Sequence, residues 1–201
     1  TSSIGGALGA ANNALNKTVE AARSASKKVA LAGAGFIVGL GGMTLAASAL
    51  ETPMRNVQSI THETWGEISK ESATLIRMSR GVTQSATELA KGLYNVASSG
   101  FQGAEALNIV SVSAKAASAG MSDTATSSTA IVGALNAYGL AGADATKVSD
   151  TLFQTVNLGV LTFSDLAQGM GEWVSMAASA NAPLGEAAAA LAQMTRAGIM
   201  P

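Results

Sequence analysis

The sequence predicts an all-α fold: an array or bundle of short antiparallel helices, about 20 residues each, preceded by a long N-terminal helical arm with an apolar segment. Three observations predict it. Residues that stop helices recur at Gly100, Gly120, Gly139, Gly159, Asn181 and Gly198, and Gly and Asn tolerate the left-handed backbone that closes a helix. Acidic residues recur at Asp123, Asp144, Asp165 and Glu186, each 21 after the last, where a carboxylate in a first turn complements the helix dipole. No segment alternates polar and apolar residues as a half-buried strand would.

Residues 1–28 form a basic helical arm: Lys17, Arg23, Lys27 and Lys28 against Glu20 leave a net charge of +3. Residues 29–50 follow as 22 residues without a charge. As a helix they span about 33 Å, close to the roughly 30 Å of a bilayer core. Five of them are Gly, and Gly35-x-x-x-Gly39 is a small-xxx-small pair that lets helices approach closely. Phe36 and Val38 lie within this pair and complete the membrane-facing or helix-packing set with Gly35 and Gly39. Two readings stay open: a membrane-spanning helix, or an apolar helix buried in a bundle or in a seam between copies. Either way so much apolar surface needs a cover. Pro53 is expected to interrupt any helix that runs on.

Residues 51–82 read as one long amphipathic connecting helix, with Trp65, Ile68, Leu75 and Val82 along a loose stripe. Residues 83–201 form the core domain, with helices at 84–99, 103–119, 123–138, 144–158, 164–180 and 185–197, paired as hairpins of about 40 residues. Ser122 and Ser164 are the N-cap residues read from sequence. Gly100, Gly120, Gly139, Gly159 and Gly198 are the C-caps, with positive φ at Gly120, Gly139 and Gly159.

Composition narrows function. The chain has no Cys and one His, which excludes disulfides, thiolate nucleophiles and multi-His metal centres. A net charge of −1 speaks against a domain built to bind nucleic acid. Charged residues make up 12%, against roughly 25% in an ordinary soluble domain, and mean hydropathy is +0.30. With 4% aromatics, such a chain lacks the side chains that usually build a catalytic pocket.

The chemical motifs are weak. Gly33 to Gly39 is spaced like a dinucleotide loop, but no strand precedes it. His62-Glu63-Thr64-Trp65 begins like a zinc protease helix and then has Gly66 where a second ligand belongs; His62 is read as a surface residue of the amphipathic helix. Ser24 and Lys27 share the spacing of a Ser–Lys pair inside a Ser/Ala/Lys-rich stretch. Asn16-Lys17-Thr18 is a sequon without a secretory context. The four regular acids are read as helix starts, and Trp65 and Trp173 as core. No catalytic, cofactor-binding or metal-binding residue emerges.

Several short pieces then line up in order. They are Gly100-Phe101, Ala116 to Asp123, Leu135-Asn136-Ala137-Tyr138-Gly139-Leu140, Ala143-Asp144-Ala145, Val148-Ser149-Asp150, Thr162-Phe163-Ser164-Asp165-Leu166, Leu184 to Ala189 and Ala197-Gly198-Ile199. Together, residues 83–200 resemble the core region of the tail tape measure proteins of long-tailed bacteriophages. The resemblance implies a structural virion protein of the tail lumen or tip. It sets tail length during assembly and leaves ahead of the DNA at infection, helping it through the host envelope. Its implied partners are other copies of itself, three or six in a tail, the tail tube and tail tip proteins, and the host membrane. It implies no specific nucleic acid, no cofactor and no enzymatic activity. Family members are usually far longer, so the chain is expected to be a fragment. One departure is the Pro expected near Trp173, which appears only at Pro183. Two other classes remain: a helical membrane pore or anchor unrelated to phage tails, and a piece of an enzyme whose active residues lie elsewhere.

Overall fold

The computed structural model describes residues 43–199. Among them are eight α-helices, one 3-10 turn and no strand. The helices are α1 (Met43–Thr61), α2 (Trp65–Met78), α3 (Ala86–Ser98), α4 (Gly103–Ala119), α5 (Thr124–Ala137), α6 (Ala145–Leu158), α7 (Phe163–Ser179) and α8 (Leu184–Arg196), with the 3-10 turn at Gly142–Asp144. The all-α array predicted from sequence is the fold observed, and α3 to α8 begin and end within two residues of their expected spans. From Ser48 the chain forms one compact unit.

Side-chain caps explain the starts. Thr64 with Glu67, Ser85 with Glu88, and Thr162 with Asp165 each form a reciprocal capping box, which satisfies two orphan backbone donors at once. At α5 the cap is Asp123, whose carboxylate accepts the Thr126 N–H at 2.8 Å. The N-caps are therefore Asp123 and Thr162, and not Ser122 and Ser164. Ser122 lies in the preceding helix closure, where its N–H donates to the Ala117 carbonyl at 3.0 Å, and Ser164 lies inside α7.

The ends share one closure with different residues in it. Left-handed backbone occurs at Gly100, Met121, Gly139, Asn181 and Gly198. At Gly139, φ is 62°, and the Leu140 N–H reaches back to the Leu135 carbonyl at 2.8 Å while the Gly139 N–H reaches Asn136. This is the Schellman closure, in which a residue without Cβ avoids strain. Positive φ is not found at Gly120, where φ is −90°, or at Gly159, where it is −94°. Met121 takes the left-handed position instead of Gly120. Space explains both glycines. A Cβ on Gly120 would lie 2.9 Å from the Phe163 Cβ, and one on Gly159 would lie 2.6 Å from the Thr195 Oγ1.

Two further corrections concern the arm. The amphipathic stretch 51–82 is two helices, not one. His62, at φ 60°, ends α1, and Thr64 starts α2 with a capping box. Pro53 does not stop a helix; it sits inside α1. Proline removes the bond to the carbonyl four residues back; here that residue is Ala49, which is exposed, so water can replace the partner.

The core is continuous from α1 to α8. Leu50, Met54 and Val57 of α1, Ile68 and Leu75 of α2, Leu89 and Leu93 of α3, and Ile109 of α4 join Ile131, Leu135, Leu152, Phe163, Leu166 and Leu191. Each helix from α3 onward packs on its neighbour in sequence and also on the next but one. Thus α3, α5 and α7 make one row, and α4, α6 and α8 another. Polar ties repeat this step. The Asn95 amide donates to Thr129 Oγ1, Asn108 to the Gly142 carbonyl, Asn136 to the Ser99 carbonyl, and the Val160 N–H to Thr195 Oγ1. All four pairs are 34 to 37 residues apart. Such stacking makes each unit depend chiefly on its neighbours.

Helix α5 is central. Residues 124–143 carry no charge, and Thr124, Ser127, Ser128, Ala130, Ile131, Val132, Ala134 and Leu135 are all buried. Only Thr129 and Asn136 of this helix are exposed, so it must be covered on most of its sides. It is thinned with Ser, Thr and Ala so that α3, α4 and α7 can all approach.

Candidate functional site

The residues singled out at Gly35, Phe36, Val38 and Gly39 lie outside the described residues. So do the Gly33–Gly39 loop, Ser24, Lys27, the sequon and the basic arm. No helix among the described residues is long and apolar enough to cross a membrane.

The regular acids are distributed along the array as helix-start residues. The Thr162 hydroxyl and then its N–H hold the Asp165 carboxyl below its ordinary range. The Thr126 N–H does the same for Asp123. Glu186 lies in the first turn of α8, and Asp144 at the junction of the 3-10 turn with α6 makes no side-chain cap bond. No group of three or more metal-ligating side chains occurs among the described residues.

His62 is exposed, as the sequence predicts, but occupies the break between α1 and α2, its Nδ1 3.3 Å from the Ile60 carbonyl. Trp65 is not core. It is 46% exposed at the start of α2, with the Arg55 guanidinium 5.4 Å from its ring centre; the break at residues 62–64 puts it on the surface. Trp173 is partly buried against the core.

An open groove of about 580 Å³ lies between α6 and α8. Asp144, Lys147, Asp150, Thr151 and Gln154 line one side, and Gly185, Ala188 and Ala189 the other. Its polar groups come from successive turns of one helix, and small residues face them. That arrangement offers no convergent acid and base. Sequence reasoning missed one cluster: Glu63, Glu67 and Glu71, spaced i, i+4 and i+8 across the α1–α2 junction. That spacing is the signal that would have found it.

The extended structural feature of this chain is the array itself, and its relatives are long proteins. Residues 72–201 match the family described as phage-related minor tail protein. The chain is 26% identical over 169 residues to the probable tape measure protein of Clostridium phage phiCD119, covering 80% of this chain and 18% of that protein. It is 31% identical over 149 residues to the tape measure protein of Pneumococcus phage Dp-1, covering 74% of this chain and 13% of that protein. No solved structure matches the chain.

Proposed function

Because the chain belongs to the phage-related minor tail protein family, we propose that it works as a tape measure. On this reading it is a structural part of the tail, not an enzyme. It sets tail length during assembly, lies in the tail lumen or tip beside other copies of itself, and contacts tube and tip proteins. At infection it leaves and helps DNA cross the envelope. The observation that carries the reading is the ordered match to two tape measure proteins over most of the chain. The stacked, low-charge array supports it, because small-residue helices pack closely in a narrow space.

The test is tail length. In virions lacking residues 83–199 in frame, tails should shorten by up to about 175 Å, the length of those residues as extended helix at 1.5 Å each. An in-frame duplication should lengthen them. Tails of unchanged length in both would overturn the reading. The membrane part rests on residues 29–50, whose 22 uncharged residues match a bilayer. Lys27 and Lys28 would stay at the headgroups on one side and Glu51 would mark the other. A charge at the bilayer centre costs a few kcal/mol, so Val38→Asp virions should have tails of normal length in electron micrographs and fail in DNA entry. Normal entry removes the membrane role, and malformed tails assign the segment to assembly.

A further inference from the structure

Between α1 and α2 the chain turns through His62, Glu63 and Thr64. Glu71 lies two turns along α2 from that break and is only 6% exposed. One carboxyl oxygen of Glu63 and one of Glu71 are shut away from solvent, and neither receives a hydrogen bond from a donor. After burial, Glu63 is the group that acts most on the Glu71 carboxyl, through its charge and a side-chain hydrogen bond. Two carboxylate oxygens are both acceptors, so the pairing is favourable only with a proton between them. Two ionised carboxylates sharing a desolvated site repel strongly.

We infer that this elbow is closed by one proton shared between Glu63 and Glu71, and that loss of the proton opens the turn at residues 62–64. The linkage is continuous. Gln58 of α1 donates its amide to the Glu63 carbonyl at 3.2 Å, the Glu63 side chain meets Glu71, and Glu71 is fixed in α2. The surrounding charges do not relieve the pair. Glu63 and Glu67 both act on Glu71, and both are acidic. The Glu67 carboxylate is occupied by the Thr64 N–H and hydroxyl, at 2.9 and 2.7 Å. On α1, Glu51 and Arg55 pair with each other on the surface. His62 and Lys70 flank the elbow and are exposed, and on α3 and α4 Glu88, Lys91, Tyr94, Glu105 and Lys115 are exposed as well.

Burial first, and Glu63 second, push the Glu71 carboxyl from 4.5 up to about 7. The folded form therefore holds its proton to higher pH than the unfolded form. The stabilisation is fully present below about 4.5 and is lost as pH rises through about 7.

The experiment uses the 201-residue chain. Carboxyl carbon NMR across pH 4 to 9 should show Glu71 titrating near 7. Amide exchange at residues 62–68, corrected for its intrinsic pH dependence, should report an opening constant rising on the order of a hundredfold over the same range. Glu71→Gln supplies a permanent donor, so its elbow should stay protected at high pH, with a flat profile. Should that variant not fold, Glu63→Gln removes the second carboxylate, so the rise in opening with pH should be smaller than in wild type, because burial alone then raises the Glu71 carboxyl. Titration of Glu71 near 4.5 would overturn the inference. So would an equal rise in opening with pH in wild type and variant.

Discussion

Replacing Phe163 with alanine should lower the unfolding free energy by about 3–5 kcal/mol, the usual range for a buried aromatic. Phe163 is the first residue of α7 and 2% exposed. Its ring stacks on Phe153 of α6, with centroids 4.9 Å apart and planes 24° apart. Its Cβ lies against Gly120, at the end of α4. One side chain thus joins three helices of both rows. Truncation removes the burial of a ring, an aromatic contact worth about 0.5–1.5 kcal/mol, and the filler of a space that Gly120 leaves open. Phe163→Leu should cost less, because it keeps most of the volume. Urea unfolding with an unchanged slope would give both values. A Phe163→Ala loss below about 1 kcal/mol would mean that the α6–α7 junction is not part of the cooperative core.

The second large effect runs against helix propensity. Gly92 lies inside α3, where glycine is about 1 kcal/mol worse than alanine, so an added side chain ought to help. A Cβ there would lie 2.6 Å from the Thr124 Cγ2 and 3.0 Å from the Ser128 Oγ. Both residues are buried on α5, which also packs against α4, α6 and α7 and so has little room to retreat. Gly92→Val should therefore destabilise by about 3 kcal/mol, the upper end for overpacking. Gly92→Ala should be milder, since propensity offsets part of the clash. Adding Thr124→Ala to Gly92→Ala should recover stability, because it removes the methyl in the way. An unchanged midpoint in Gly92→Val would show that α3 and α5 separate readily.

These two glycines and Phe163 mark where sequence reading reaches its limit. Gly120 reads as a conformational glycine, yet it is kept for room against Phe163, 43 residues later. The left-handed position passes to Met121, which no propensity scale would choose. The break at His62 was hidden because the apolar stripe of 51–82 runs on through it, although Thr64 and Glu67 carry the capping-box spacing of a new start. Pro53 misled for the same reason in reverse: one lost backbone bond is outweighed by the burial of Leu50, Met54 and Val57 around it.

The sequence by itself determined the helices and their order. Helix starts and stops are written in local chemistry: carboxylates and hydroxyls that reach backbone N–H groups within three residues, and residues that tolerate a left-handed turn. These signals act over one turn and need no tertiary context. Only the tertiary structure decided which helices touch. The expected hairpins pair each helix with its neighbour, whereas α5 packs against α3 and α7 as well as α4. Next-but-one packing depends on how closely backbones approach, and so on pairs such as Gly92 with Thr124 and Gly159 with Thr195. Those partners lie 32 and 36 residues apart, beyond the reach of any local pattern. The same holds for Glu63 and Glu71. Their spacing is visible along the chain, but it was the packing of α2 that removed water from between them and made the proton matter.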